Sequence, residues 1–220
     1  MQKFTTTAPI AAVVAIPAGR VQFIAADRAD TTVEVRPADA SKARDAKAAE
    51  QTTVDFADGV LRIETTVKHQ ILGASGSVEV TVQLPAGSTV TTSAASADFR
   101  GVGRLGDVTF EGAHGEIKVD EAAGLHLTTE AGDVTIGRLT GDASITTRKG
   151  TISIAEAAGG ALVLRTSAGD VSVTAAAGVS ASLDAGTSYG RVRNSLVSAG
   201  APTLTIKATT ELGDINARSL

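Results

Sequence analysis

Acidic residues follow glycine repeatedly in the second half of the chain, as Asp107, Glu116, Asp133, Asp142, Asp170 and Asp214. Carboxylates at evenly spaced glycine corners are the raw material of a calcium β-roll. In that fold Gly-Gly-x-Gly-x-Asp turns surround each ion with about six or more oxygens. Here each corner offers one glycine and at most one acid, and the series Glu116, Asp133, Thr151, Asp170 is interrupted. The ligand count falls short, so no metal or other cofactor is expected. The aspartates are expected to accept hydrogen bonds from amides of their own turns.

Carboxylates could also cleave glycans, as in many parallel β-helices, if two of them flanked one bond. The outward positions expected to align on successive coils are Glu111, Thr128, Thr146, Arg165, Asp184 and Lys207. That face is mixed, holds no acidic pair on neighbouring coils and lacks aromatics to stack on sugar rings. The three histidines, His69, His114 and His126, have no ligand spacing and read as solvated side chains. Tyr189, next to Gly190 and flanked by Arg191 and Arg193, either anchors a partner or covers the end of the core. The core role is the expected one, because aromatic rings bury large apolar area. Outward threonines suggest an ice-binding array, but Glu111, Lys118 and Arg165 break it up. No catalytic, cofactor-binding or metal residue is therefore assigned.

The elements that would position these residues follow from a repeat. From residue 106 glycines fall at 106, 115, 124, 132, 141, 150, 159, 169 and 178, a beat of about nine. Between them apolar residues stand two apart: Val108/Phe110, Ile117/Val119, Leu125/Leu127, Val134/Ile136, Ala143/Ile145, Ile152/Ile154, Leu162/Leu164 and Val171/Val173. That alternation is the mark of a half-buried strand. Two beats make a coil of about 18 residues with a glycine corner, and stacked coils bury what one coil cannot. A degenerate copy at Ala181–Val192 and a last one from Leu204 through Ile215 extend the stack in sequence order. The fold class is all-β: a β-solenoid, parallel β-helix or β-roll-like, with two strands per coil.

Residues 89–220 carry the repeats; residues 1–88 read as an N-terminal β cap continuous with them. Strand-like runs there are Val13–Ile16, Val21–Ala25, Thr31–Arg36, Thr52–Phe56, Val60–Thr66 and Val78–Leu84. Ala38–Gln51 reads as a short helix or loop whose charges (Lys42, Arg44, Asp45, Lys47, Glu50) mark a solvated face. Lys68–Gly76, with His69, Gly73 and Gly76, reads as irregular.

Composition narrows the function. The 220 residues are 43% hydrophobic, but 39 of them are alanine, so the core is thin. Five Phe, Tyr189 and no Trp leave no base-stacking platform, and a net charge of -4 gives no broad nucleic-acid footprint. The absence of cysteine removes thiol chemistry. The apolar run Ile10–Ile16 lies between Pro9 and Pro17 and reads as a strand rather than a leader, so the expectation is a cytoplasmic protein without membrane insertion.

Gly-Asp-Val turns such as Ala131-Gly-Asp-Val134, the Leu84-Pro-Ala-Gly-Ser88 element and the closing Leu183–Leu196 segment resemble a bacterial family of β-strand-repeat domains labelled "putative adhesin". The resemblance covers nearly the whole chain and is strongest to the family's actinobacterial branch. It implies the solenoid fold, and some relatives with extra modules are linked to envelope-stress responses. The function expected is a non-enzymatic structural or protein-interaction module with a protein partner. A surface adhesin or envelope-stress ligand-binding protein is the second reading, a polysaccharide-active β-helix enzyme the third. Charges in the terminal units (Arg191, Arg193, Lys207, Glu211, Asp214, Arg218) oppose edge pairing, so a monomer is expected, or at most a dimer through the C-terminal edge.

Overall fold

The computed structural model describes residues 1–66 and 76–220. The expected irregular stretch Lys68–Gly76, with His69 and Gly73, lies outside the described residues except for Gly76. In chain order the strands are β1 (Gln2–Thr5), β2 (Ala11–Ala26), β3 (Asp30–Pro37), β4 (Thr52–Ala57), β5 (Val60–Thr65), β6 (Val78–Pro85), β7 (Thr89–His114), β8 (Ile117–Ala131) and β9 (Val134–Leu139). They continue as β10 (Ala143–Lys149), β11 (Ile152–Ala157), β12 (Gly160–Ala168), β13 (Val171–Ala175), β14 (Ala181–Tyr189), β15 (Val192–Ser195), β16 (Leu204–Leu212) and β17 (Ile215–Ser219). One helix, α1 (Ala43–Glu50), follows β3. All seventeen strands of the described residues join in one unclosed sheet, folded so that two parallel ladders face each other across the core.

The repeat sets the register. Leu127 pairs with Ile145 and Ile145 with Leu164 in the first ladder; Val134 pairs with Ile152 and Ile152 with Val171 in the second. Identical apolar positions thus stack strand over strand, and all six residues are buried. The half-turn between ladders needs a residue without a side chain. Gly150 has φ +152°, and a Cβ there would meet the Gly132 carbonyl oxygen at 2.1 Å.

Threonine fills the third inward position of several coils. Thr129, Thr147 and Thr166 stand in register and are buried. The hydroxyl of Thr166 donates to the Gly150 carbonyl at 3.0 Å, as Thr210 does to Gly169 and Thr187 to Gly213. Each bond ties a strand to the corner of a neighbouring coil. Thr147 Oγ1 alone in this column is buried without a partner.

At the N-terminal side the core takes phenylalanine. Phe23, Phe99 and Phe110 are fully buried and form two successive ring pairs with centroids 5.7 Å apart. The runs Val13–Ile16 and Val21–Ala25 are the two halves of β2, on either side of Gly19 (φ +129°), and each half pairs with β7. On its other side β2 meets β5 and β6. Strands β1, β3 and β4 then add antiparallel. The alanine-rich segment forms a helix at α1, but its charges are not all solvated. Asp45 is only 3% exposed and accepts the Ser77 amide at 3.0 Å, fastening the helix to the start of β6.

Sequence order fails at the C-terminus. Strand β16 lies between β12 and β14, and β17 between β13 and β15. The last coil of the chain is therefore inside the stack, and the end is formed by β14–β15. The physical reason is apolar content. The inserted coil turns Leu204, Ile206, Ala208, Ile215 and Ala217 inward, all buried, whereas β15 offers Val192 and Asn194 at the equivalent positions. Burying Asn194 between two coils would strip its amide of water. At the end it stays exposed, and its Oδ1 accepts the Leu196 amide at 3.0 Å.

Candidate interaction surface

The corner aspartates do not fold back on their own turns. Asp133 accepts the Thr151 amide at 2.8 Å, Asp170 that of Asp214 at 2.7 Å and Asp214 that of Arg191 at 2.9 Å. Asp98 does the same for Glu116 and Asp142 for Ala161. Each carboxylate stitches its coil to the next, a correction to the expected local turn bond. Among the described residues no group of three or more His, Asp or Glu is placed to hold a metal ion.

The expected outward row is brought together only in part. Glu111, Thr128, Thr146 and Arg165 do follow one another. The row then continues to Thr209 on β16 and Gly186 on β14. Lys207 and Asp184 stand one row aside, opposite Val163 and 4.0 Å from each other. Acids do succeed one another at the corner of the second ladder, as Asp98, Glu116 and Asp133, a row that the alternation pattern did not single out. Two of the three are spent on amides, and Glu116 pairs with Lys118 at 2.8 Å. His114 and His126 are exposed and stand in different rows.

Chemistry concentrates at the open end. Among the described strands β14 is paired only with β16 and β15 only with β17, so neither has a strand on its outer edge, where the Ala181 N–H of β14 donates to the Val197 carbonyl at 3.0 Å. Of the six large hydrophobic side chains exposed among the described residues, five lie on the last two coils or their connections: Tyr189, Val192, Val197, Leu212 and Leu220. Tyr189 is 74% exposed, which overturns its expected place over the core. It stands beside Leu212, 55% exposed, with Val192, 44% exposed, just past the corner. The ring stands past the last inward position of β14, Thr187, and leaves the end-coil residues Leu183 and Val192 part-exposed.

A groove of about 390 Å³ runs beside this corner on the second ladder, lined by Ser172, Arg193, Ser195, Asn216, Ala217 and Arg218. Arg193 Nη1 lies 3.5 Å from Asp214 Oδ2 and 3.4 Å from Asn216 Oδ1, and Arg218 Nε donates to Thr174 Oγ1 at 3.2 Å. Exposed tyrosine, arginine and unpaired strand edges are features that protein interfaces use.

The architecture is that of an all-β, β-solenoid-like domain. The chain belongs to the Toastrack family (Toastrack DUF4097), whose model matches residues 15–219. Among solved structures it is similar to a putative adhesin from Bacteroides fragilis, at 10% identity, TM-score 0.44, with 98% of this chain and 95% of that chain covered. It is also similar to a putative cell adhesion protein from Clostridium sporogenes, at 11% identity, TM-score 0.35 and coverage of 100% and 98%. A third is a putative adhesin from Parabacteroides distasonis, at 12% identity, TM-score 0.34 and coverage of 98% and 95%. No curated protein matches the chain.

Proposed function

We propose that the chain is a non-enzymatic, monomeric protein-interaction module. It is a solenoid of two-strand coils of about 18 residues, covered at the N-terminal side by a β cap within residues 1–88 and open at β14–β15. One observation carries the reading: both ladders end there with no further strand beside them, next to an exposed Tyr189. Elsewhere the faces are mixed in charge, and the corner carboxylates Asp98, Asp133, Asp142 and Asp170 are engaged with backbone amides. Work in the cytoplasm is part of the proposal. Its support is that Ala12, Val14 and Ile16, from the most leader-like run, are buried in β2 as part of the fold. Fractionation of the native host tests it, and recovery with the envelope would refute it.

The interaction itself is tested by photo-crosslinking in the native host, with a photoreactive phenylalanine analogue in place of Tyr189 or, as control, Thr128. The expected result is a protein adduct of discrete mass at position 189 and none at 128. Equal labelling at both positions, or none at 189, would overturn the assignment.

A further inference from the structure

We infer that the open end takes an extended, acidic peptide segment, which adds as a new strand along the outer edge of β15. The inference deepens the interaction-module reading and rests on it.

Three observations converge on that chemistry. All four residues of β15, Val192–Ser195, are exposed, and one edge of their backbone has no strand beside it. Such an edge is completed by main-chain hydrogen bonds from an extended chain. Next, the corner row has a rule: a carboxylate on one coil accepts the amide of the next, from Asp133 to Thr151, Asp170 to Asp214 and Asp214 to Arg191. That row ends in Arg191, a cation that has no ion pair among the described residues. Finally, the charge around the corner opposes that of the molecule. Arg191 and Arg193 carry the edge strand's corner, with Arg193 3.5 Å from Asp214, and Arg218 lines the same groove as Arg193, on a chain of net charge -4.

The edge strand's alternation specifies the incoming side chains. Arg193 points outward beside the groove that Ser195, Asn216 and Arg218 also line, so the incoming strand needs carboxylates on that side. Val192 faces the core side, where β-branched residues would cover it and the neighbouring half-buried Leu183. A second copy of this chain fits worse. A two-fold pairing of β15 with itself brings Arg191 and Arg193 of both copies together, and facing like charges destabilise a strand pair.

The test uses the full chain and a fluorescein-labelled peptide of alternating valine and glutamate, with a valine–lysine twin as control. Anisotropy at low salt is expected to show binding of the acidic peptide and at least tenfold weaker binding of the twin. Hydrogen exchange should slow at the Val192–Ser195 amides when the acidic peptide is added. The Arg191→Glu/Arg193→Glu double variant should reverse the preference. Arg193→Gln, which keeps a donor near Asn216, should weaken acidic binding without reversal and guards against a folding defect in the double variant. Equal affinity for the two peptides, no binding of the acidic one, or a concentration-dependent dimer that excludes it would overturn the inference. Protection at another edge, such as β4, would overturn the site and leave the module reading standing. Peptide binding at β15 without any crosslink at position 189 would sink the module reading alone.

Discussion

Ile215 and Val192 occupy the same inward row, in register, one on the inserted coil and the other on the end coil. Ile215 is 1% exposed, packed between Val171 and Val192. Shortening it to alanine removes three carbons, about 2.4 kcal/mol of transfer free energy, and with the cavity left behind the cost is about 3 kcal/mol. Val192→Ala removes two carbons from a side chain that is nearly half in water, which costs about 1 kcal/mol. For a chain of this size the melting temperature should fall by roughly 6–12 °C for Ile215→Ala and roughly 2–4 °C for Val192→Ala. Thermal unfolding followed by circular dichroism reads both. If the coils were stacked in sequence order, Val192 would be internal and Ile215 terminal, and the ranking would invert. Equal losses, or a larger loss for Val192→Ala, would refute the energetic reason given for the inserted coil.

Gly150→Ala sets a Cβ against the Gly132 carbonyl and should cost several kcal/mol or prevent folding, whereas Gly178→Ala, with φ +79° and open space around it, should cost about 1–2 kcal/mol; urea unfolding compares them. Thr147→Val removes a buried hydroxyl that has no partner and should raise stability by about 1 kcal/mol, while Thr166→Val loses the bond to Gly150 and should lower it. Two gains of equal size in the same assay would contradict the threonine ladder. Hydrogen bonds and ion pairs from Arg28 and Lys3 hold the Asp30 carboxyl at about 2, and the Ser41 hydroxyl and amide with Lys42 hold Asp39 likewise at about 2. Both folded-state values lie below the ordinary 3.8, so their stabilising contribution is present above about pH 4 and disappears as the pH falls through about 2. Asp30→Asn should therefore flatten the fall in melting temperature across that window, and an unchanged slope would rule the pair out as its source.

The repeat was legible because each coil repeats the same pair of inward positions. The alternation in Leu125-His-Leu and Ile152-Ser-Ile was enough to place those residues in the core and to set their neighbours' register. What escaped was anything that depends on which coil lies beside which. Nearest-neighbour stacking is the default reading of a repeat, and nothing local in Leu204–Ile215 says that it inserts backwards. The available signal was comparative: Asn194 at an inward position, with Arg191 and Arg193 close by, is poor material for an internal coil. The two misplaced members of the outward row, Asp184 and Lys207, have another cause: register is set from the corner glycine, and Gly186 and Thr209 stand four residues before Gly190 and Gly213 as Arg165 does before Gly169. The expected place of Tyr189 over the end of the core rested on the large apolar area of its ring, and alternation alone did not show that the ring stands beside the exposed Leu212 instead. The aspartate bonds were missed for a different reason, since an Asx turn and a bridge to the next coil use the same residue at the same corner. Asp45 shows the limit of charge patterning: one member of a charged run is buried because the amide of Ser77, distant in sequence, needs an acceptor.

The order of the last coils, on which both the open end and its proposed partner depend, is tested most directly by engineered disulfides in a chain that has no cysteine of its own. Val163 pairs with Lys207, and Lys207 in turn with Asp184 on its far side. Neighbouring strands lie about 4.8 Å apart, which puts positions 163 and 184 roughly 10 Å apart, beyond the reach of about 7 Å that a disulfide allows. Val163→Cys with Lys207→Cys should close within one chain under mild oxidation, and Val163→Cys with Asp184→Cys should stay open. Ready closure of the 163–184 pair, with the 163–207 pair left open, would mean that the coils stack in sequence order and that β16–β17 form the open end.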